Sequence, residues 1–224
     1  LSPGFRTVPL AVYRNDGDAG VTPLGAHGLP SMCLRNALVP FDVDNDGWLD
    51  LTNGTADNIC NDGAEKNWLL RNVSGEQFAD ISDPSMNVGS HYYCRMHPAD
   101  VDLDGDLDYF QQVSTWTHAR LFLNRSDGTF DEVSDSVGLT YGSGRDGSAD
   151  NYWLDLDGDG DLDLVRFTRT VYPAGEGQIL VYRNEAPAGR WLGIAATPSP
   201  SIASMVGLRV AAHVGDEILT RTVR

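Results

Sequence analysis

The chain alternates short apolar segments with polar turns, and in several segments every second residue is apolar. Leu49-Asp50-Leu51, Leu107-Asp108-Tyr109 and Leu162-Asp163-Leu164 show this period at three separate places. A period of two is that of a β-strand with one buried face, whereas an amphipathic helix repeats its apolar residues every three to four positions. No amphipathic helix of useful length is evident, so the pattern predicts an all-β fold.

The predicted strands fall into three similar sets. Each strand is rich in Val, Leu, Tyr and Phe and is bounded by Asn, Asp and Gly turns. Four strands in about 55 residues correspond to one blade of a β-propeller. The predicted fold class is therefore an all-β propeller of four-stranded blades, of which this chain holds about three to four as a partial ring. The strands are expected at 37–41, 48–52, 67–71 and 77–81, at 92–99, 107–113, 119–123 and 129–133, and at 151–154, 162–168 and 178–182.

A second repeated feature is an apolar strand that ends in Asn and is followed by a polar turn. It occurs at Asn15, Asn72, Asn124 and Asn184, with spacings of about 52 to 60 residues. A repeat of this length indicates one supersecondary unit per copy, as in propellers and solenoids.

An acidic loop with the pattern D-x-D-x-D-G-x-x-D lies between the first two strands of each set. The loops are residues 42–50, 100–108 and 155–163, with carboxylates at positions one, three, five and nine. Two like charges about 4 Å apart repel by roughly 4 kcal/mol at an effective dielectric constant near 20, so the cluster is unfavourable without a cation. Clustered hard oxygen ligands without nearby His or Cys indicate Ca²⁺ rather than zinc or copper.

The glycine at position six permits a sharp turn that directs the backbone carbonyl of position seven inward. The sequence therefore predicts three Ca²⁺ sites, each with side-chain ligands at positions one, three, five and nine and a backbone ligand at position seven. The predicted metal residues are Asp42, Asp44, Asp46, Trp48 and Asp50, then Asp100, Asp102, Asp104, Asp106 and Asp108, then Asp155, Asp157, Asp159, Asp161 and Asp163.

The acidic loops have two other interpretations. An EF-hand shares the opening of the pattern but requires Glu at position twelve and flanking helices. Position twelve is Asn53, Gln111 or Arg166, and the following residues have the period of a strand. The EF-hand is therefore excluded, and acidic surface turns without a metal are the remaining alternative.

The composition and charge of the chain disfavour some partners and indicate a location. The 224 residues carry a formal net charge of −16 and no stripe of Lys and Arg, which disfavours nucleic acid as a partner. No apolar run has the length of a membrane span. Calcium loops of this kind suit millimolar Ca²⁺, so an extracellular, cell-surface or periplasmic location is expected. Because the chain starts at Leu1 without a signal peptide, it is expected to be processed or to be part of a longer protein.

Together, the acidic loops and the Asn-terminated hairpins resemble FG-GAP/VCBS repeats, the calcium-loop blades also found in integrin α-subunit propellers. The resemblance covers roughly residues 10–185. It implies a propeller whose blades carry Ca²⁺ at the aspartates of positions one, three, five and nine. The Phe-Gly and Gly-Ala-Pro elements that give the repeat its name are not evident in this sequence.

The C-terminal part resembles the start of an ASPIC/UnbV segment, as in proteins similar to the cartilage acidic protein family. The resemblance rests on residues 184–192 and 206–210. The predicted domains are therefore 1–185, the propeller blades, and 186–224, a truncated ASPIC/UnbV-like β segment. Three units cannot close a ring, since propellers have at least four blades. We therefore expect other segments of a longer protein, or other chains, to complete it.

Several remaining residues have structural and functional interpretations. Cys33, Cys60 and Cys94 permit one disulfide, with the pairing open, or three free thiols. His91 and His97 flank Cys94, and a structural role is favoured over a soft-metal site. The tryptophans are expected to pack between blades rather than to stack on sugars. The sequons at Asn53, Asn72 and Asn124 are either glycosylation sites or turn residues.

The function predicted from these features is a non-enzymatic, calcium-stabilised interaction module outside the cytoplasm. Its expected partner is another protein or the rest of its own propeller. The alternatives are a carbohydrate-binding propeller, such as a lectin or an accessory part of a polysaccharide lyase, and an accessory subunit of a larger assembly.

Overall fold

The computed structural model describes most of the repeat region of the chain. The described residues are 8–9, 11–23, 28–32, 38–53, 67–75, 77–86, 94–113, 119–139, 146–170, 177–185, 209–214 and 217–222.

Two short strand pairs form the N-terminal part. Strand β1 (Val8–Pro9) pairs with β4 (Ser31–Met32), and β2 (Tyr13–Asn15) forms a hairpin with β3 (Val21–Pro23). A 3₁₀ turn at Gly17–Ala19 lies within that hairpin. Asn15 therefore ends a strand and precedes a turn, as the repeated Asn pattern predicts.

Three antiparallel sheets follow, here called the first, second and third units. The first unit has the strand order β5-β6-β7-β8, with β5 (Val39–Phe41), β6 (Asp50–Asn53), β7 (Trp68–Val73) and β8 (Gln77–Asp80). The second unit has β9 (Cys94–Ala99), β10 (Asp108–Val113), β11 (Arg120–Asn124) and β12 (Phe130–Glu132) in the same order. The third unit has β13 (Asp146–Leu154), β14 (Asp163–Thr170) and β15 (Gly177–Tyr182).

The remaining elements are a C-terminal hairpin of β16 (Arg209–Val214) and β17 (Glu217–Thr222), and a 3₁₀ turn at Pro84–Met86. No α-helix occurs in the described ranges, which confirms the all-β class, and the first two units are four-stranded antiparallel sheets, as predicted. In the same part of the chain, no helix has the length and apolarity needed to cross a membrane.

The second strand of each unit begins later than the sequence pattern predicts. Strands β6, β10 and β14 start at the last aspartate of the acidic loop rather than at the apolar residues before it. Trp48 and Leu49 stay in the loop and are partly exposed. The third unit differs at β13, which starts at Asp146 rather than near 151 and has an irregular register between Ser148 and Asp150.

The core consists of two apolar layers between successive units. Adjacent residues of β10 point to opposite layers, as the strand period requires: Tyr109 packs in the layer towards the first unit, and Phe110 in the layer towards the third. The first layer contains Phe41, Val43, Leu69, Met86, Met96, Tyr109 and Phe122, and the second contains Ala99, Val101, Phe110, Ala119, Leu121, Leu139 and Leu164. The sheets therefore stack face to face through the second unit.

Some sequence predictions fall outside the described residues. These include Cys33, Cys60, His91, Trp116, Trp191 and most of the ASPIC/UnbV-like segment. The disulfide pairing and that resemblance therefore stay predictions.

Candidate metal centres

The three acidic loops share one backbone conformation at position six. Gly47, Gly105 and Gly160 have φ of 86°, 99° and 98°. Glycine adopts this left-handed region without the steric cost of a Cβ, which is why the loop pattern needs glycine there.

Position four of each loop is also left-handed, which the sequence pattern did not reveal. Asn45, Leu103 and Gly158 have φ of 55°, 61° and 81°. Asn and Gly are typical of this conformation, but leucine is not. Because leucine occupies this position in the second loop, the residue types alone do not predict the left-handed conformation of position four.

Backbone hydrogen bonds to the carboxylates tighten each loop. The amide of position six donates to the carboxylate of position one, with N–O distances of 3.0 Å for Gly47–Asp42, 3.4 Å for Gly105–Asp100 and 3.2 Å for Gly160–Asp155. The carboxylates of positions three and five accept in turn from the amides two residues further on, which is the geometry of an Asx turn. The pairs, each with the donor amide first and the acceptor carboxylate second, are Asp46 and Asp44, Trp48 and Asp46, Asp104 and Asp102, Asp106 and Asp104, Asp159 and Asp157, and Asp161 and Asp159.

Each loop gathers three carboxylates whose oxygens lie within 4.8 Å of one another. The groups are Asp42, Asp44 and Asp50, then Asp100, Asp102 and Asp108, then Asp155, Asp157 and Asp159. Three convergent carboxylate oxygens are a donor set for a hard cation. The three acidic groups could therefore hold metal ions, and the residues present fit such a group.

The other predicted ligands lie in the same loops but outside these groups. Position five, Asp46 or Asp104, is exposed in the first two loops, whereas Asp159 belongs to the group of the third. Trp48, Asp106 and Asp161 were predicted as ligands through their backbone carbonyls. That role of the carbonyls stays a prediction, and the Asp106 side chain accepts hydrogen bonds from Asn45 and Ser126.

The aspartate at position nine is buried in every loop and joins two parts of its unit. One carboxylate oxygen accepts the amide of position two, with N–O distances of 2.7 Å for Asp50, 2.8 Å for Asp108 and 3.0 Å for Asp163. The other oxygen accepts the amide of the repeated Asn on the third strand, at 2.7, 2.8 and 2.9 Å. This residue therefore closes the loop and ties it to the sheet.

Burial opposes ionisation of the aspartates at position nine. Burial, the largest cause, and the nearby Asp44 and Asp42 carboxylates together raise the pKa of Asp50 to about 7, against the backbone amides of Val43 and Asn72, which lower it. The pKa of Asp108 is raised to about 7 by the same burial and by Asp102 and Asp104. Burial and the neighbouring Asp159 raise the pKa of Asp161 to about 6. A bound cation would favour the ionised forms of these groups.

Two of the repeated Asn residues, Asn124 and Asn184, connect successive units, a role that the sequence repeat did not disclose. The Asn124 side-chain amide donates to the Val43 carbonyl of the preceding unit at 2.8 Å and to Leu107 of its own unit at 3.2 Å. The Asn184 amide donates to the Val101 carbonyl of the preceding unit at 2.7 Å. Each of these Asn residues therefore reaches position two of the preceding acidic loop.

Asn45 links the first acidic loop directly to the second. Its side-chain amide donates to the Gly105 carbonyl at 3.1 Å and to the Asp106 carboxylate at 2.7 Å. The residue at the same position in the second loop is Leu103, which has no amide to donate. The link between the loops is therefore specific to the first pair.

His97 and Trp153 have structural contacts in the core. His97 is largely buried, lies 3.3 Å from the Gln112 carboxamide oxygen and packs against Phe110, and burial lowers its pKa. Trp153 packs edge-on against Phe110, and its indole nitrogen donates to the His97 carbonyl at 3.2 Å. Trp153 thus packs between units, as expected.

Comparisons with known proteins leave the family open. No family model matches this chain, and no curated protein matches it. Among solved structures, it is similar to an Agrocybe aegerita lectin described by its specific recognition of non-reducing terminal N-acetylglucosamine. The identity is 19%, the TM-score is 0.45, and the alignment covers 79% of this chain. The chain spans about half of that lectin chain, 47% of it.

Proposed function

We propose that this chain is a segment of a calcium-stabilised β-propeller of the FG-GAP/VCBS type. In this proposal it works outside the cytoplasm as a rigid, non-enzymatic module that presents its connecting loops to another protein. The calcium loops stabilise the scaffold, and binding of the partner is a separate property of the surface.

The observation that carries the proposal is the threefold recurrence of one loop geometry. Each loop places three carboxylate oxygens within 4.8 Å at the same end of the sheet, where the first strand of a unit turns into the second. One acidic turn could be a surface feature, but three equivalent ones repeat both the backbone conformation and the hydrogen bonds. The packing of each sheet face on the next supports the propeller arrangement.

The donor set favours calcium. Carboxylate and carbonyl oxygens on a flexible loop suit the variable shell of Ca²⁺, whereas Mg²⁺ needs near-ideal octahedral geometry and keeps several waters. When bound, the ion supplies positive charge that offsets the repulsion within each cluster. The chain's own residues hold the carboxylates together through the backbone amides of each loop.

A thermal unfolding experiment tests this proposal. The melting temperature is measured in millimolar Ca²⁺, in Mg²⁺ and in chelator. Saturation of one site at about 100 times its dissociation constant adds about 2.7 kcal/mol, which for a chain of this size corresponds to a shift on the order of 5–10 °C. We expect a large upward shift in Ca²⁺ and a much smaller one in Mg²⁺.

A matched pair of variants identifies the site. Asp102→Asn removes one carboxylate of the second group, and Asp135→Asn makes the same change at an exposed position outside the loops. Asp102→Asn should reduce the Ca²⁺-dependent shift without lowering the stability in chelator, because it relieves repulsion. An equal Ca²⁺-dependent shift in both variants would contradict a calcium site at the second loop.

A further inference from the structure

The third acidic loop differs from the first two in the carboxylates that come together. In the first two loops the grouped carboxylates are at positions one, three and nine, whereas in the third they are at positions one, three and five. All three members of the third group are exposed. Exposed acidic groups are common on protein surfaces, but a further carboxylate, that of Asp161, lies beside this group and is buried.

Asp161 occupies position seven of the third loop and is only 3% exposed. Its Oδ1 atom is buried and has no hydrogen-bond donor among the described residues. Its carboxyl group lies at hydrogen-bond distance from that of Asp159, a member of the third group, and the nearby Asp157 and Asp163 also disfavour its charge. Arg183 pairs with Asp157 at 2.5 Å rather than with Asp161. A buried carboxylate oxygen beside other carboxylates is costly unless a cation binds there.

The carboxylate at the same position of the second loop has hydrogen-bond donors. Asp106 accepts from the Asn45 amide at 2.7 Å and from the Ser126 hydroxyl. Asn45 is at position four of the preceding loop, and the corresponding residue before the third loop is Leu103, whose side chain cannot donate. The Asp161 oxygen therefore keeps its acceptor capacity for a ligand of another kind.

We propose that the side-chain carboxylate of Asp161 binds the cation of the third acidic loop, together with the three carboxylates of the third group. This rests on the proposed calcium sites and adds a ligand to one of them, because position seven was expected to contribute only its backbone carbonyl. The first loop has Trp48 at this position, and in the second loop Asp106 is held by hydrogen bonds. Since calcium affinity depends on the number of charged ligands, Asp161 should set the affinity of the third loop alone.

Titration of the ¹⁵N-labelled chain with Ca²⁺ resolves the three loops separately by nuclear magnetic resonance. In each loop the amide of the position-six glycine donates to the carboxylate of position one, so its resonance reports on that loop. In Asp161→Asn, the Gly160 resonance should respond at a free Ca²⁺ concentration at least about tenfold higher than in the parent, since loss of even an indirect support of a metal site typically costs about 10–100-fold in affinity. The Gly47 and Gly105 resonances should respond as in the parent.

Two control variants remove the same charge elsewhere. Asp135→Asn, at an exposed residue outside the loops, should leave all three responses unchanged. Asp106→Asn makes the change at position seven of the second loop, where it should move the Gly105 response by much less than about tenfold. Because asparagine is nearly isosteric with aspartate and relieves repulsion, Asp161→Asn should melt in chelator at or above the temperature of the parent.

Failure of the Asp161 ligand can be told apart from failure of the calcium sites. If Ca²⁺ moves none of the three glycine resonances, both proposals are overturned. If Gly47 and Gly105 respond, but Gly160 does not respond or has the same midpoint in the parent and in Asp161→Asn, only the role of Asp161 is overturned. A lower melting temperature of Asp161→Asn in chelator would also overturn it, because the carboxylate would then stabilise the fold instead of binding the ion.

Discussion

At the scale of single residues, the aspartates at position nine have two functions at once. Asp50, Asp108 and Asp163 each accept two backbone amides, one from their own loop and one from the third strand of the unit. Asp50 and Asp108 also belong to the carboxylate groups of their loops. A carboxylate has about four acceptor positions, so these hydrogen bonds leave capacity for a metal ion. Loop geometry and metal affinity are therefore coupled through one side chain.

Asn45→Gly tests whether the first two loops are coupled. Glycine keeps the left-handed conformation of Asn45 but removes the amide that holds Gly105 and Asp106 of the second loop. We expect calorimetric Ca²⁺ titrations of the parent to show positive cooperativity between these two loops and the variant to lose it. Leu103→Gly, the same change at the next loop, should leave that cooperativity intact. Identical binding curves for the parent and Asn45→Gly would contradict the coupling.

At the scale of the elements, a close contact between a turn and a neighbouring side chain stabilises the first unit. The turn between β7 and β8 contains Ser74 and Gly75, both left-handed with φ of 58° and 77°. A Cβ on Gly75 would lie 2.6 Å from Cζ3 of Trp48, so the indole ring covers this turn. Trp48, which was predicted as a backbone ligand, thus also connects the first acidic loop to the hairpin of β7 and β8.

Gly75→Ala should destabilise the first unit more than the matched change Gly128→Ala. Both glycines are left-handed, so both variants incur about 1–2 kcal/mol of backbone strain. Only the new methyl group at residue 75 meets the Trp48 ring, whereas a Cβ at Gly128 has nothing within 4 Å. Urea unfolding of the two variants measures the difference. Equal destabilisation would show that the Trp48 contact adjusts without cost.

Asn124→Ala should weaken the contact between the first and second units. The change leaves the buried Val43 carbonyl without its donor, at a cost of about 1–3 kcal/mol. In the first unit, the Asn72 amide donates at 3.1 Å to Leu49 of its own unit, at a partly exposed position. Asn72→Ala should therefore cost less. Chemical unfolding in chelator measures both, and the reverse ranking would contradict a role of Asn124 between units.

At the scale of the whole molecule, the net negative charge destabilises the folded state and the stacking of the sheets stabilises it. A formal net charge of −16 and three acidic groups disfavour the folded state when no cation is bound. The apolar layers on both faces of the second unit oppose this effect by holding the sheets together. Stability should therefore depend on pH and on Ca²⁺ in a linked way.

In chelator, the free energy of unfolding should fall as the pH rises from about 4 to about 7. Over this range the folded chain keeps protons on Asp50 and Asp108, whose pKa values are about 7, while the unfolded chain releases them. The raised pKa values of Asp104 and Asp161 add to this loss of stability with rising pH. The lowered pKa of His97 opposes it, but His97 is a single group.

Urea unfolding at about pH 5 and about pH 7.5 measures this pH dependence. Asp50→Asn should flatten the slope in chelator, since it removes one of the titrating groups. In Ca²⁺ the slope should reverse, because the metal binds the ionised carboxylates. A stability that rises with pH in chelator would contradict the raised pKa values.

The sequence by itself determined the features that depend on neighbouring residues. The period of two predicted the strands, and the loop pattern predicted the clustered carboxylates and the left-handed glycines, because these interactions lie within nine residues. The strand starts were predicted two residues too early at Trp48 and one too early at Leu107 and Leu162. Apolar residues at the end of an Asx-rich loop continue the alternating pattern of the strand. The sequence pattern alone therefore does not separate them from the strand residues.

Only the tertiary structure decided which contacts form between the repeats. The donation from Asn124 to Val43 spans 81 residues, and that from Asn184 to Val101 spans 83. No local pattern encodes these contacts, because they depend on the stacking of whole sheets. The same stacking determines that Tyr109 and Phe110 enter different layers and that Asn45 reaches the second loop.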